Sequence, residues 1–202
     1  MDLSSLNPEY LQRALHVEAP QSSDYDLNPE ARPKGRLILR PASVLVPLRD
    51  RGSGPSVLLT RRAARLKHHP GQISFPGGKQ DEGDASPLAA ALREADEEIG
   101  LPPDRVTILG QFDSHETVTN FLVTPFVGLI DPDFEPRIDR TEVDEVFEVP
   151  LSFLIDPANL QIHQFTRLGH QRSYFAIPFG PHYIWGATAR MLKALADRLC
   201  EV

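Results

Sequence analysis

Residues 93–99 read Arg-Glu-Ala-Asp-Glu-Glu-Ile, which sets Glu94 three residues before Glu97 and four before Glu98. On a helix those spacings bring like charges together one turn apart. At ~4 Å each such pair costs from ~1 kcal/mol in water to ~4 kcal/mol at an effective dielectric of 20. Only Arg93 offers local compensation. A bound divalent cation reverses the sign of that repulsion. Oxygen-only ligands favour Mg²⁺ or Mn²⁺ over zinc, and Mg²⁺ typically combines a few carboxylates with phosphate oxygens. The chemistry expected here is therefore metal-assisted and directed at a phosphorylated molecule.

A helix is expected to carry these groups from Pro87 to Ile99. Ser86-Pro87 has the form of an N-cap followed by proline at the first helical position, and Gly100 with Pro102 and Pro103 is a stop signal. On a helical wheel Leu88, Leu92, Ala95 and Ile99 fall within one narrow sector, a buried stripe. Glu94, Glu97 and Glu98 fall together on the opposite side of the same wheel, with Arg93 next to Glu97. The wheel thus expects all three carboxylates on the side away from the core. Ahead of the helix, Phe75-Pro76-Gly77-Gly78-Lys79 supplies two glycines that let the backbone approach a ligand, with a lysine alongside.

Around this helix, Arg36–Leu48 and Ser56–Arg62 read as strands joined into a hairpin by Arg-Asp-Arg-Gly-Ser-Gly-Pro. Further strands are expected at 106–112, 121–130, 145–149, 161–166 and 173–177. A short helix is expected around Pro8–Leu15, and a final one over Ile184–Leu199 with Trp185, Ala189, Leu192, Leu195 and Leu199 at helical spacing. Residues 1–35 read as that first helix, a lid or brace, plus an extended polar connector over Pro20–Gly35. Residues 36–202 read as the main domain.

The 202 residues suffice for one core without staples. With 28 acids, 21 Lys plus Arg and a formal charge of −7, the chain is not expected to bind nucleic acid or an anionic membrane. Residues 81–98 hold seven acids and one base, and 131–148 hold eight acids and two bases, so the rest of the chain is net positive. One cysteine, Cys200, excludes an internal disulfide and a Cys-rich zinc site and fits a reducing cytoplasm. The seven histidines show no ligand spacing. No Gly-x-x-x-x-Gly-Lys-Ser/Thr loop occurs, and Gly52-Ser53-Gly54 lacks nucleophile-elbow spacing.

The segment Arg93–Leu101 resembles the second half of the Nudix box, Arg-Glu-apolar-x-Glu-Glu-x-Gly-apolar, at every fixed position. The first half departs from the pattern: Ala85 stands at the box's acid and Lys79 at its glycine, with Gly78 and Asp84 each one residue earlier. The resemblance implies that Asp84 substitutes for the missing acid. Upstream, Leu58-Leu59-Thr60-Arg61-Arg62-Ala63, then Lys67, Gly71 and Phe75-Pro76-Gly77-Gly78, resembles the motif of the coenzyme A pyrophosphatase branch. Lys67 replaces the usual arginine there, which keeps charge but loses bidentate geometry. Similarity to the branch continues through Val123–Gly128, Glu142–Leu151 and Ile184–Ala189.

The resemblance implies an α/β fold, the Nudix α/β/α sandwich with a mixed sheet, and hydrolysis of the pyrophosphate bond of coenzyme A or acyl-CoA. It assigns Glu94, Glu97 and Glu98 as ligands of Mg²⁺ or Mn²⁺, with the Gly77 carbonyl as an additional ligand and Arg93 orienting the glutamates. Glu142, or else Glu145, is the downstream candidate for the base. Arg61, Arg62, Arg65 and Lys67, beside Gly77, Gly78 and Lys79, are candidates to bind the diphosphate or the 3′-phosphate. The small molecule is the expected partner, in a monomer or homodimer. Competing expectations are another Nudix specificity, such as ADP-ribose, NADH or a nucleoside triphosphate, and a non-catalytic nucleotide sensor.

Overall fold

The computed structural model describes residues 7–167 and 169–202. Its centre is a parallel pair, β2 (Arg40–Asp50) and β8 (Phe121–Ile130), in register from Arg40↔Phe121 to Leu48↔Leu129. Antiparallel neighbours extend it on both sides: β3 (Pro55–Arg62) and β5 (Gly77–Lys79) on β2, β6 (Val106–Gln111) and β7 (His115–Glu116) on β8. β4 (Ile73–Ser74) and β9 (Val143–Pro150) both pair with β3, and β1 (Ser22–Ser23) runs parallel to β7. The result is a mixed nine-stranded sheet.

Alternation along the strands builds two cores. Leu45, Leu58, Phe126 and Ile130 pack with Ala91, Ala95 and Ile99 of α2 (Pro87–Ile99). Val46, Leu48, Val57, Leu59, Val123 and Val127 belong to the opposite cluster. That cluster also holds Leu11, Ala14 and Leu15 of α1 (Pro8–Leu15) and Leu151 and Leu154 of α3 (Leu151–Ile155), with Leu192, Leu195 and Leu199 of α4 (Ala187–Glu201). A sheet with helices on both faces is the α/β/α sandwich. Among the described residues no helix is long and apolar enough to cross a membrane.

The hairpin, the helix at Pro87–Ile99 and the strand at Phe121–Ile130 lie where the residue pattern sets them. Two segments differ from expectation. Trp185, read as part of the last helix, ends a strand, β12 (His182–Trp185). That strand joins β10 (Gln161–Arg167) and β11 (His170–Phe179) in a separate antiparallel sheet. Gly186, at φ +65°, makes the break, and α4 starts only at Ala187. The expected connector over Pro20–Gly35 is docked. Ser22 and Ser23 pair with His115 and Glu116, and Tyr25 and Asn28 are buried. The Asn28 amide donates to Ser173 O at 2.8 Å and accepts from Ser173 N at 2.8 Å. The buried His115 ring lies 2.9 Å from Ser22 Oγ and 3.0 Å from Asp24 Oδ1. Such a segment is fixed by hydrogen bonds rather than by apolar area, so its polar composition gives no sign of burial.

α1 is a brace set into the core, with Leu11 3% exposed. Leu11→Ala is expected to lower stability by about 2–5 kcal/mol. Urea unfolding checks this; a detachable lid would leave the midpoint where it was.

Candidate active site

The site is organised where β5 lies between β2 and α2. Gly77 pairs with Val44 and Gly78 with Ser43. Gly77 has φ +147°, and a Cβ there would lie 2.6 Å from Val44 Cα. A Cβ at Gly78 would lie 2.6 Å from both Cδ and Oε1 of Glu94. Gly77 admits no side chain and one at Gly78 would displace the Glu94 carboxylate, so the two glycines let strand backbone and helix carboxylates meet. The Ser86 hydroxyl caps α2 by accepting from Ala89 N at 3.1 Å, and Gly100, at φ +67°, ends it.

The approach separates the three glutamates. Side-chain exposure is 57% for Glu97, 16% for Glu94 and 2% for Glu98. The buried stripe runs through Ala91, Ala95 and Ile99 and reaches Glu98, so Glu98 lies at the edge of the core rather than opposite it. Its Oε2 accepts from Gly77 N at 3.2 Å, and its Oε1 lies 3.6 Å from the Arg62 guanidinium. Burial pushes the Glu98 carboxyl up to about 8 against the opposing pull of Arg62 and the Gly77 amide. Burial also raises Glu94, against the pull of Arg93. The nearby charge of Glu142 adds to the rise at both.

Arg93 is the hub of the outer half. Its Nε and one terminal nitrogen donate to the two Asp84 oxygens at 2.9 and 3.1 Å. The other terminal nitrogen donates to Glu97 at 2.8 Å, and the one bonded to Asp84 also lies 3.1 Å from Glu94. Asp84, held low chiefly by the Arg93 hydrogen bonds, also accepts from Asp81 N at 2.8 Å. The acid displaced from Ala85 to Asp84 therefore grips the arginine in a fork-to-fork pair.

Glu142 is exposed on the loop before β9, and its carbonyl accepts from Ala63 N at 2.8 Å. It is near enough to act on Glu94 and Glu98, whereas Glu145 is engaged elsewhere. Glu145 accepts from Arg61 at 2.9 Å and lies 3.1 Å from His182, whose ring stacks on Phe147 at 3.7 Å. Arg61 is thus drawn away from Glu98 while Arg62 is drawn to it. Lys67 is exposed in the loop between β3 and β4. Lys79 is exposed beside Asp81 at 3.5 Å. Gly77 touches Glu98 through its amide N–H. Ser43 went unnoticed in the sequence: its buried hydroxyl, opposite Gly78, has no hydrogen-bond partner among the described residues. A lone serine in an apolar strand carries no spacing signal.

The carboxylate set fits a hard divalent cation. Its donors are all oxygen, and two of the three acids are raised by burial and neighbouring negative charge, which a cation offsets. Among the described residues no three His, Cys, Asp or Glu side chains converge on one point. Mg²⁺ commonly completes its shell with phosphate oxygens and water beside a few carboxylates.

A mixed-sheet sandwich with this carboxylate helix and glycine strand defines a metal-assisted hydrolase of phosphoanhydrides. The model of the NUDIX domain matches residues 39–168, and the chain belongs to the Nudix hydrolase family, which acts on pyrophosphate bonds of nucleoside diphosphate derivatives with divalent metal ions. Nudix hydrolase NudL of Enterobacter sp. (strain 638), named as uncharacterized, is 43% identical over 157 residues, 78% of this chain and 81% of the relative. The NudL of Salmonella paratyphi B is 37% identical over 196 residues, 97% of this chain and 96% of the relative. The fold is shared with the NUDIX domain of Shewanella oneidensis NrtR, complexed with ADP ribose (TM-score 0.54, 16% identity, 87% of this chain and 97% of that one). It is shared also with the MutT protein of Methanosarcina mazei Go1 (TM-score 0.51, 20% identity, 84% and 100%).

Glu98 gives a pH signature. Its folded-state value of about 8 lies above the ordinary carboxylate value of 4.5, so the stability it contributes is full below about 4.5 and is lost as pH rises through about 8. Metal-free protein is expected to lose Tm over that interval, and Glu98→Gln to flatten the loss. Adding Mn²⁺ at pH 8 is expected to raise the Tm of the parent protein and not that of the variant. Parallel curves for the two proteins would contradict the assignment.

Proposed function

We propose that this Nudix hydrolase cleaves the pyrophosphate bond of coenzyme A and its thioesters, giving 3′,5′-ADP and 4′-phosphopantetheine or its acyl form. One observation carries the reading. The segment that resembles the coenzyme A pyrophosphatase motif, residues 58–78, touches Glu98 near both its ends, through Arg62 at 3.6 Å and Gly77 N at 3.2 Å. The features of the branch and those of the general carboxylate helix thus form one site. The exposed basic loop of Arg65 and Lys67 between them supplies charge for a polyphosphorylated substrate.

In this reading Glu94, Glu97 and Glu98 hold Mg²⁺ or Mn²⁺. The ion, when bound, neutralises diphosphate oxygens and polarises phosphorus toward water. Arg93, fixed by Asp84, orients Glu94 and Glu97. Arg62 keeps a guanidinium beside Glu98, within reach of an incoming phosphate. Glu142 takes the proton from water as the new P–O bond forms; the bridging P–O bond breaks, and its electron pair leaves with the other phosphate. The intact glutamate cluster disfavours a purely sensing role, because a binder has no need of repelling carboxylates.

Product analysis with coenzyme A, acyl-CoA, ADP-ribose and NADH side by side, each with Mn²⁺, tests the substrate. Cleavage of the first two is expected to be fastest; fast NADH or ADP-ribose cleavage with coenzyme A untouched overturns it. Glu98→Gln is expected to lower turnover about 10²-fold or more with the fold retained, measured as kcat beside circular dichroism. Glu142→Gln is expected to lower kcat about 10²–10⁴-fold with little change in KM if that carboxylate is the base.

A further inference from the structure

We propose that Ser43 is a positioning residue for the carboxylate site: its hydroxyl donates to Glu94 and fixes that carboxylate as a ligand of a divalent cation. The inference rests on the reading of Glu94 as a metal ligand and names the donor that holds it.

Ser43 is 1% exposed, and its hydroxyl has no hydrogen-bond partner among the described residues. Buried hydroxyls rarely stay unpaired, so this one calls for an acceptor close by. The strand register limits the choice. Leu45, two residues on along β2, belongs to the core beneath α2, so alternation turns Ser43 to the same face of the sheet. On one side Ser43 pairs with Thr124 of β8, and on the other with Gly78 of β5. The Thr124 hydroxyl is already engaged, 3.1 Å from Ser114 Oγ. Gly78 has no side chain, and the Glu94 carboxylate takes that place. Its Cδ and Oε1 lie 2.6 Å, and its Oε2 2.8 Å, from where a Cβ would stand. Directly paired strand residues have Cβ atoms roughly 4.5–5.5 Å apart. Glu94 therefore fills the position beside Ser43 that a cross-strand side chain would occupy, and the serine can change rotamer toward it without moving the strand.

Glu94 has need of such a donor. Its only ion pair among the described residues is with Arg93, through a terminal nitrogen 3.1 Å from Oε1 that also serves Asp84. Burial has stripped water from this carboxylate and raised it, and a hydroxyl returns a hydrogen bond without adding charge. Carboxylates that ligate a metal are themselves commonly hydrogen-bonded, which fixes their orientation.

Titration calorimetry with Mn²⁺ alone on the full chain tests this. The proteins compared are the parent, Ser43→Ala, Ser43→Thr, Glu94→Gln and the double variant Ser43→Ala with Glu94→Gln, each with its Tm measured before metal is added. Ser43→Ala is expected to weaken Mn²⁺ binding about 10–100-fold. Its metal-free Tm is expected to hold or rise, because an unpaired hydroxyl leaves the interior. Ser43→Thr, which keeps the hydroxyl, is expected to recover most of the affinity. In the Glu94→Gln background Ser43→Ala is expected to add little, since the group it acts through is gone. Parent-like affinity in Ser43→Ala overturns the proposal. An equal loss in both backgrounds, the mark of a general packing effect, overturns it as well. If Glu94→Gln weakens binding and Ser43→Ala does not, Glu94 keeps its role and Ser43 loses its own. If Glu94→Gln leaves binding unchanged, Glu94 is no ligand, and the reading beneath the proposal falls with it.

Discussion

The contact between β5 and α2 is the constraint on which the site depends. Gly77 leaves no room for a Cβ against Val44, and Gly78 lies so close to the Glu94 carboxylate that a Cβ there would displace it. Because the strand comes so close, a backbone amide reaches Glu98 and one flank of the helix is closed to water. The same closeness makes the site electrostatically costly, since carboxylates one turn apart repel and burial weakens their hydration. Arg62, the Gly77 amide and Arg93 offset that cost only in part, as the raised values of Glu94 and Glu98 indicate.

Different elements deliver the parts. α2 brings the glutamates and Arg93, β3 brings Arg62, β5 brings the amide, and the loop before β9 brings Glu142. The two cores fix these elements from opposite faces, with α1 and α4 behind the sheet and α2 in front. The carboxylate helix is consequently clamped between an apolar stripe and a glycine strand. A shift of either face would move Glu98 relative to Arg62, which ties packing far from the site to its geometry.

Arginine placement divides the charge of the chain by task. Asp84 holds Arg93, Glu98 faces Arg62 and Glu145 holds Arg61, so these cations serve first to order acids. Lys67 and Lys79 stay at the surface, and Arg40 is ordered by an aromatic ring instead of a carboxylate. A net charge of −7 is thereby compatible with a polyanionic substrate, because part of the basic side chains stay open to solvent.

Much of this was legible in the residues themselves. The caps at Ser86 and Gly100 and the spacing of the glutamates determined the carboxylate helix, because capping and periodicity are local properties, whereas the two glycines, which read as a tight turn, form strand β5 against β2. The displaced acid at Asp84 was legible through the box pattern, but its grip on Arg93 was not. Tertiary structure alone decided the rest. A helical wheel treats Glu94, Glu97 and Glu98 as one exposed face, yet the strand Gly77–Lys79 covers one edge of it, leaving Glu97 in water and Glu98 buried. Likewise adjacent Arg61 and Arg62 part to different carboxylates, Trp185 ends a strand, and the polar segment around Tyr25 is docked by hydrogen bonds. Each of these outcomes depends on which distant segment lies against the residue, a relation that local pattern does not encode.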